Sequence, residues 1–124
     1  MKTAKEYLAE ANAVVPRISS DVGIAKHDAG SSLFIDVRDS SDIAKSGTIA
    51  GALCIPRGFL EFAADETLPY FNANLNKDAD IVLVCAAGGQ AALAGKTLKD
   101  MGYKYVCNVG GIADWIAAGG KLET

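Results

Sequence analysis

The sequence predicts an α/β domain: a three-layer sandwich with a parallel sheet of about five strands and helices on both faces. Three observations lead there. Short apolar runs bounded by turn residues recur along the chain, and stretches with helical spacing lie between them. The chain has 124 residues, 50% of them hydrophobic, which is enough for one core without disulfide or metal staples.

The elements follow in order. Ala4, Tyr7, Leu8, Ala11 and Val14 recur at helical spacing and the pattern stops before Pro16, so residues 1–17 form an amphipathic helical extension, an appendage to a domain at 18–124. Ser19-Ser20-Asp21 resembles a helix cap and opens a short, weaker helix. Gly30-Ser31-Ser32 breaks the chain before Leu33-Phe34-Ile35-Asp36-Val37, a run too short for a stable helix and suited to a buried strand. Ala52-Leu53-Cys54-Ile55, stopped by Pro56, reads the same way, as do Ile81-Val82-Leu83-Val84 and Tyr105-Val106-Cys107-Asn108-Val109. Between the last two strands a helix is expected over about Gln90 to Met101, with Leu93, Ala94, Thr97, Leu98 and Met101 on one face and Gly102 as its stop. Ile112 to Ala118, closed by Gly119-Gly120, is the final helix, its inner face marked by Ile112, Trp115 and Ile116. Phe59 to Lys77 is assigned one or two short helices with loops, in which Phe59, Leu60 and Phe62 are expected to cover the sheet, with lining the pocket as the alternative. Alternation of strand and helix implies right-handed crossovers.

Composition narrows the function. A net charge of -3 with mixed signs and no run of Lys or Arg argues against nucleic acid and against an anionic membrane surface. The first residues turn charged where a signal peptide needs its apolar core, and no stretch reaches membrane-spanning length, so a soluble, cytoplasmic protein is expected. Cys54, Cys85 and Cys107 are odd in number and lack a CxxC or a histidine at ligand spacing, so neither a disulfide framework nor a metal site is expected.

The chemistry centres on Cys85. It follows directly on an apolar strand and is followed by Ala86, Ala87, Gly88, Gly89 and Gln90, which open a helix. In an open parallel sheet ligands bind beyond the carboxyl ends of the strands. The glycine pair lets the backbone curl so that N–H groups converge on an anion, and the helix dipole adds to them. A thiolate nucleophile fits such a loop. The alternative is a structural cysteine, because free cysteine also behaves as a small hydrophobe. For Cys54 and Cys107, inside apolar strands with no glycine loop, the core assignment is preferred.

Asp36-Val37-Arg38, then Gly47-x-Ile49-x-Gly51-Ala52-x-x-Ile55-Pro56, then the cysteine loop, then Gly110-Gly111-Ile112-x-x-Trp115 and Ala118-Gly119, resembles the single-domain rhodanese (thiosulfate sulfurtransferase) family over about residues 18–122. The resemblance implies a rhodanese-like sandwich in which Cys85 takes sulfane sulfur from a small-molecule or protein donor, becomes a persulfide, and passes the sulfur to a thiophilic acceptor without metal or organic cofactor. The loop from Cys85 to Gln90 has the family's length for sulfur. Departures accompany the matches. Gln90 stands where arginine is usual, Ala86 where a polar residue is common, Asp42 where a glutamate usually pairs with the arginine at Arg38, and Thr48 and Ala50 where His and Pro are common. Gln90 donates hydrogen bonds but lacks the charged fork of arginine, which weakens the case for thiosulfate as donor.

Positive charge must then come from elsewhere. The resemblance implies that Arg38, with Asp36 and Asp42 as partners, is structural, which leaves Arg57 as the candidate to face the site, with a solvated surface role as its alternative. His27 is expected at the surface, and Gly110-Gly111 either approach the cysteine loop or form a tight turn. The leading function is therefore a sulfurtransferase, and the alternative is a catalytically weak rhodanese-like binding or regulatory module. A phosphatase or arsenate reductase is disfavoured, since the position six after the cysteine, where those enzymes need arginine, is Ala91.

Overall fold

The computed structural model describes residues 1–124. Helices α1 (Ala4–Val14) and α2 (Ser20–Ala29) precede strand β1 (Ser32–Asp36) and helix α3 (Ser40–Ser46). Strands β2 (Thr48–Ile49) and β3 (Leu53–Cys54) follow, then a turn of 3-10 helix at Arg57–Phe59 and helix α4 (Leu60–Ala63). Strand β4 (Asp80–Cys85), helix α5 (Gly89–Asp100), strand β5 (Tyr105–Gly111), helix α6 (Ile112–Ala117) and strand β6 (Leu122–Glu123) complete the chain.

The main sheet is parallel, four-stranded and ordered β3-β1-β4-β5, while β2 and β6 pair separately and antiparallel. Pro16 to Ile18 extend the β5 edge: Ile18 N–H donates to Asn108 O and Asn108 N–H to Pro16 O, each at 2.9 Å, bridging Arg17 to Asn108 in parallel.

Strand alternation divides the core. Ile35, Ile81, Leu83, Cys85 and Val106 face one cluster, which includes Leu60, Ala94 and Leu98 from α4 and α5. Phe34, Val82, Val84, Cys107 and Val109 face the other, with Ile112 and Trp115 from α6. Helices therefore cover both faces, as the uninterrupted apolar strands require. Cys85 and Cys107 consequently point to opposite sides of the sheet.

Several expectations need correction. Helix α1 turns Tyr7 and Val14 to solvent and buries Ala11, and beyond its end Val15 is buried as well. It lies along α5, where a Cβ on Gly95 would stand only 2.8 Å from Val15, so glycine is what lets this part of the chain sit so close. On that side α5 buries Ala92 and Gly95, while Ala91, Ala94 and Leu98 join the core against the sheet. Cys54 is exposed rather than core, because β3 is a two-residue edge strand that turns Leu53, not Cys54, toward the core. Of the Phe59, Leu60, Phe62 group only Leu60 covers the sheet; the two phenylalanines are exposed and stack on each other at 5.8 Å. Ile116 is also exposed, while Ile112 and Trp115 hold the inner face. His27 is half-buried: its Nε2 lies 2.7 Å from Ala50 O and its ring meets Phe34 and Trp115 edge-on.

Candidate active site

Cys85 is the last residue of β4 and is 1% exposed. Alternation along β4 directs the side chain toward α5, and the chain then turns through Ala86 and Ala87, both exposed, into Gly88. Gly88 has φ +105°, a left-handed conformation that glycine adopts without the penalty of a Cβ. This turn brings Gly88 N–H to 2.9 Å and Ala91 N–H to 3.3 Å from Cys85 Sγ. The first-turn N–H groups of a helix have no partner within it, so the sulfur takes up one that would otherwise go unsatisfied. Two backbone donors and a helix N-terminus converging on one sulfur form a site for an anionic sulfur.

The far wall is built by β5. Its register shifts between Leu83 and Val84, so that Val84 pairs with Gly110 and Cys85 with Gly111. Gly111 approaches the loop closely: a Cβ there would lie 3.2 Å from the Cα of Ala87. Asn108 is buried at 1% exposure, donates from Nδ2 to Gly88 O at 2.8 Å and accepts Gly110 N–H at 2.8 Å. One amide thus ties the cysteine loop to the strand beside it. Gly110-Gly111 accordingly combine the two roles the sequence left open, close approach and tight turn.

Beside this site, the end of β1 carries a second polar cluster. Arg38, 4% exposed, donates from Nε and Nη2 to the Asp36 carboxylate, which is itself fully buried, with the shortest contact at 2.8 Å. Its remaining donors reach Ser46 Oγ at 2.9 Å and Gly47 O at 2.8 Å, and Thr48 Oγ1 donates to Asp36. Asp42 is not a partner. It sits exposed in the first turn of α3, and Ser46, one turn further on, occupies the position facing Arg38.

The other candidates are placed as follows. Gln90 is exposed in the first turn of α5. Arg57 is half-buried and held by Glu61 at 2.9 Å and by Thr97 Oγ1 at 2.9 Å, beside the third turn of α5 rather than at its start. It lines a cavity of about 420 Å³ with Lys2, Tyr7 and Lys96. The structure brings Cys85, Gly88, Gly89 and Ala91 together and leaves Arg57 outside that group. Two residues near the loop had no place in the sequence reading. Asn108 had one usable signal, a polar residue amid an apolar strand. Arg17, whose guanidinium lies against Gly88 and Gly110, had none.

The Rhodanese-like domain profile matches residues 22–118. The chain belongs to the rhodanese-like domain family. Among curated relatives, YrkF of Bacillus subtilis, named as a sulfur carrier protein, is 32% identical over 99% of this chain and 61% of its own length. A sulfurtransferase of Allochromatium vinosum is 32% identical over 70% of this chain and 74% of its own. The chain thus spans less than two thirds of the Bacillus protein. Among solved structures, a Rhodopseudomonas palustris protein of unknown function, described as a possible tyrosine phosphatase, superposes with TM-score 0.93 at 36% identity, covering 99% of this chain and 96% of that one. The human single-domain sulfurtransferase superposes with TM-score 0.72 at 26% identity, covering 83% and 96%. The parallel sheet with helices on both faces agrees with the rhodanese-like architecture expected from the motifs, with four strands in place of about five.

Proposed function

We propose that the protein is a sulfurtransferase in which Cys85 carries sulfane sulfur as a persulfide between a donor and a thiophilic acceptor. The single observation that carries this reading is the pair of backbone N–H groups, from Gly88 and Ala91, directed at Cys85 Sγ. Such donors stabilise the entering thiolate and then the terminal sulfur of the persulfide, and the covalent intermediate divides one transfer into two displacements. The names of the Bacillus, Allochromatium and human relatives support the same chemistry.

The phosphatase description of the Rhodopseudomonas protein is a poorer guide. Oxyanion clamping would call for arginine six positions after the cysteine, and Ala91 occupies that position with its backbone turned to the sulfur. A binding or regulatory module is favoured only by the uncharged loop Cys85 to Gln90. The test is intact mass after incubation with thiosulfate or glutathione persulfide. A gain of one sulfur that cyanide removes, absent in Cys85→Ser, is expected. No such gain with either donor sinks the enzyme reading in favour of the module.

A further inference from the structure

We infer that Arg17, which precedes the family-matched region, is the substrate-binding residue that selects donors whose leaving group is an oxyanion. This rests on the Cys85 persulfide reading above and extends it to donor choice. Arg17 is one of three arginines, and the other two are occupied, Arg38 by Asp36 and Arg57 by Glu61. None of the seven ion pairs in the chain includes Arg17, and its residue is exposed.

Its position is nonetheless fixed. The backbone on either side of Arg17 is hydrogen-bonded to Asn108, the same residue whose side chain holds Gly88. In a parallel pair bridged residues present their side chains to the same face, so Arg17 is directed with Asn108 toward the cysteine loop. There its guanidinium lies over two glycines. A Cβ on Gly88 would come within 2.7 Å of Nη1, and one on Gly110 within 3.0 Å of Cζ. Both glycines have positive φ, +105° and +92°, so neither position favours a side chain. Absent side chains at 88 and 110 make the bed in which the planar group rests. Gly88 is also the residue whose N–H donates to Cys85 Sγ, which puts the charge against one of the sulfur's own donor residues.

An unpaired, exposed guanidinium held at the mouth of an anion site offers a bidentate fork to an oxyanion. For thiosulfate the step balances as follows. The Cys85 thiolate attacks the sulfane sulfur, the new Sγ–S bond forms, the S–S bond to the sulfonate sulfur breaks, and its electron pair leaves with sulfite. The persulfide anion stays on the N–H donors, and Arg17 holds the sulfite oxygens as they depart. No proton or outside reductant is required. The uncharged loop residue Gln90 is thereby compensated by a residue from another part of the chain.

The experiment compares thiosulfate with glutathione persulfide, whose leaving thiolate carries no oxygens on sulfur. Arg17→Gln should lower kcat/KM for thiosulfate by about 10-fold to 150-fold, the range for one charge-assisted hydrogen bond. For glutathione persulfide the change should stay below about 3-fold, a difference small beside that range. Arg17→Lys, keeping charge without the fork, should recover part of the loss. Thermal melting should match the parent because the residue is exposed. A second arm is independent of turnover: thiosulfate binding to Cys85→Ser by titration calorimetry, expected to fall at least about 10-fold when Arg17→Gln is added. Equal thiosulfate binding with and without Arg17, or equal losses for both donors, overturns the assignment. Failure of persulfide formation with intact Arg17-dependent binding instead overturns the sulfur-transfer reading alone.

Discussion

Cys85 and Cys107 lie on neighbouring strands of the same sheet, and both are hidden from solvent, at 1% and 8% exposure. Their surroundings differ in kind. Cys107 pairs with Val82 partway along β5 and faces the cluster of Phe34, Val84 and Trp115. Burial, with a smaller contribution from the Asp80 carboxylate, pushes its thiol up to about 11. Cys85 is also packed against apolar residues, yet its sulfur accepts two backbone N–H groups because its strand ends there. Exposure does not separate the two cysteines. Mid-strand backbone donors are spent on the ladder, whereas those just past a strand end and at a helix start are free to serve a sulfur. Cys54 makes the converse point: it is exposed, and its thiol is still raised, by partial burial first and by the Asp36 charge second.

The contrast between strand ends and strand middles can be broken or sharpened by experiment. The largest effect is expected at the end of β1, where Arg38→Ala strands the buried Asp36 carboxylate and should cost about 3–5 kcal/mol. The melting temperature should fall by about 10 °C or more. Melting at the parent temperature would mean that the polar cluster at this strand end is not structural.

The next effect concerns Cys107. With its folded thiol at about 11 against an ordinary 9.0, the unfolded chain ionises first, so the stabilising contribution is complete below about pH 9 and disappears as pH rises through about 11. That difference corresponds to roughly 3 kcal/mol. Cys107→Ala should therefore flatten the fall of unfolding free energy over that window, measured by urea titration at successive pH values. In the same contrast, limiting iodoacetamide at neutral pH, applied in a Cys54→Ser background, should label Cys85 on the order of 100-fold faster than Cys107. Cys107 modified first would dissolve the distinction drawn between them.

A smaller loss is expected from Asn108→Leu, which leaves Gly88 O and Gly110 N–H without their partner for about 1–3 kcal/mol. Cys85 labelling should slow while Cys107 labelling stays as in the parent; slowing of both would indicate general loosening. The smallest effect is expected from Gln90→Arg. Gln90 is exposed, and a second cation beside Arg17 should raise kcat/KM for thiosulfate by about 10-fold or less.

Much of the fold was legible in the residues. The runs at 33–37, 81–84 and 105–109 became β1, β4 and β5 within a residue or two, because a strand buried on both faces needs an unbroken apolar run. The helix expected from Gln90 formed as α5, and Ser19 caps α2 through its side chain to Val22 N–H. The sheet has four strands where about five were expected, and what lies along its β5 edge was not legible. What extends the sheet is Pro16 to Ile18, a segment with no strand pattern that pairs with β5. The partner of Arg38 was half legible: Asp36, two residues away, follows from local sequence, whereas Ser46 in place of Asp42 depends on how α3 is rotated.

By itself the sequence determined that a cysteine stands where a buried parallel strand gives way to a glycine turn and a helix, because those are local properties of residues 81–90. It did not show which arginine lies against that loop. Local reasoning pointed to Arg57, which follows a strand end, but in the folded chain Arg57 is bound to Glu61 and Thr97 beside the third turn of α5. Tertiary structure alone brought Arg17 to Gly88, across 71 positions of sequence, by docking residues 16–18 on the edge of β5. The physical reason is that backbone conformation and burial are written in short-range pattern, whereas the meeting of two side chains depends on which edges and faces pack together.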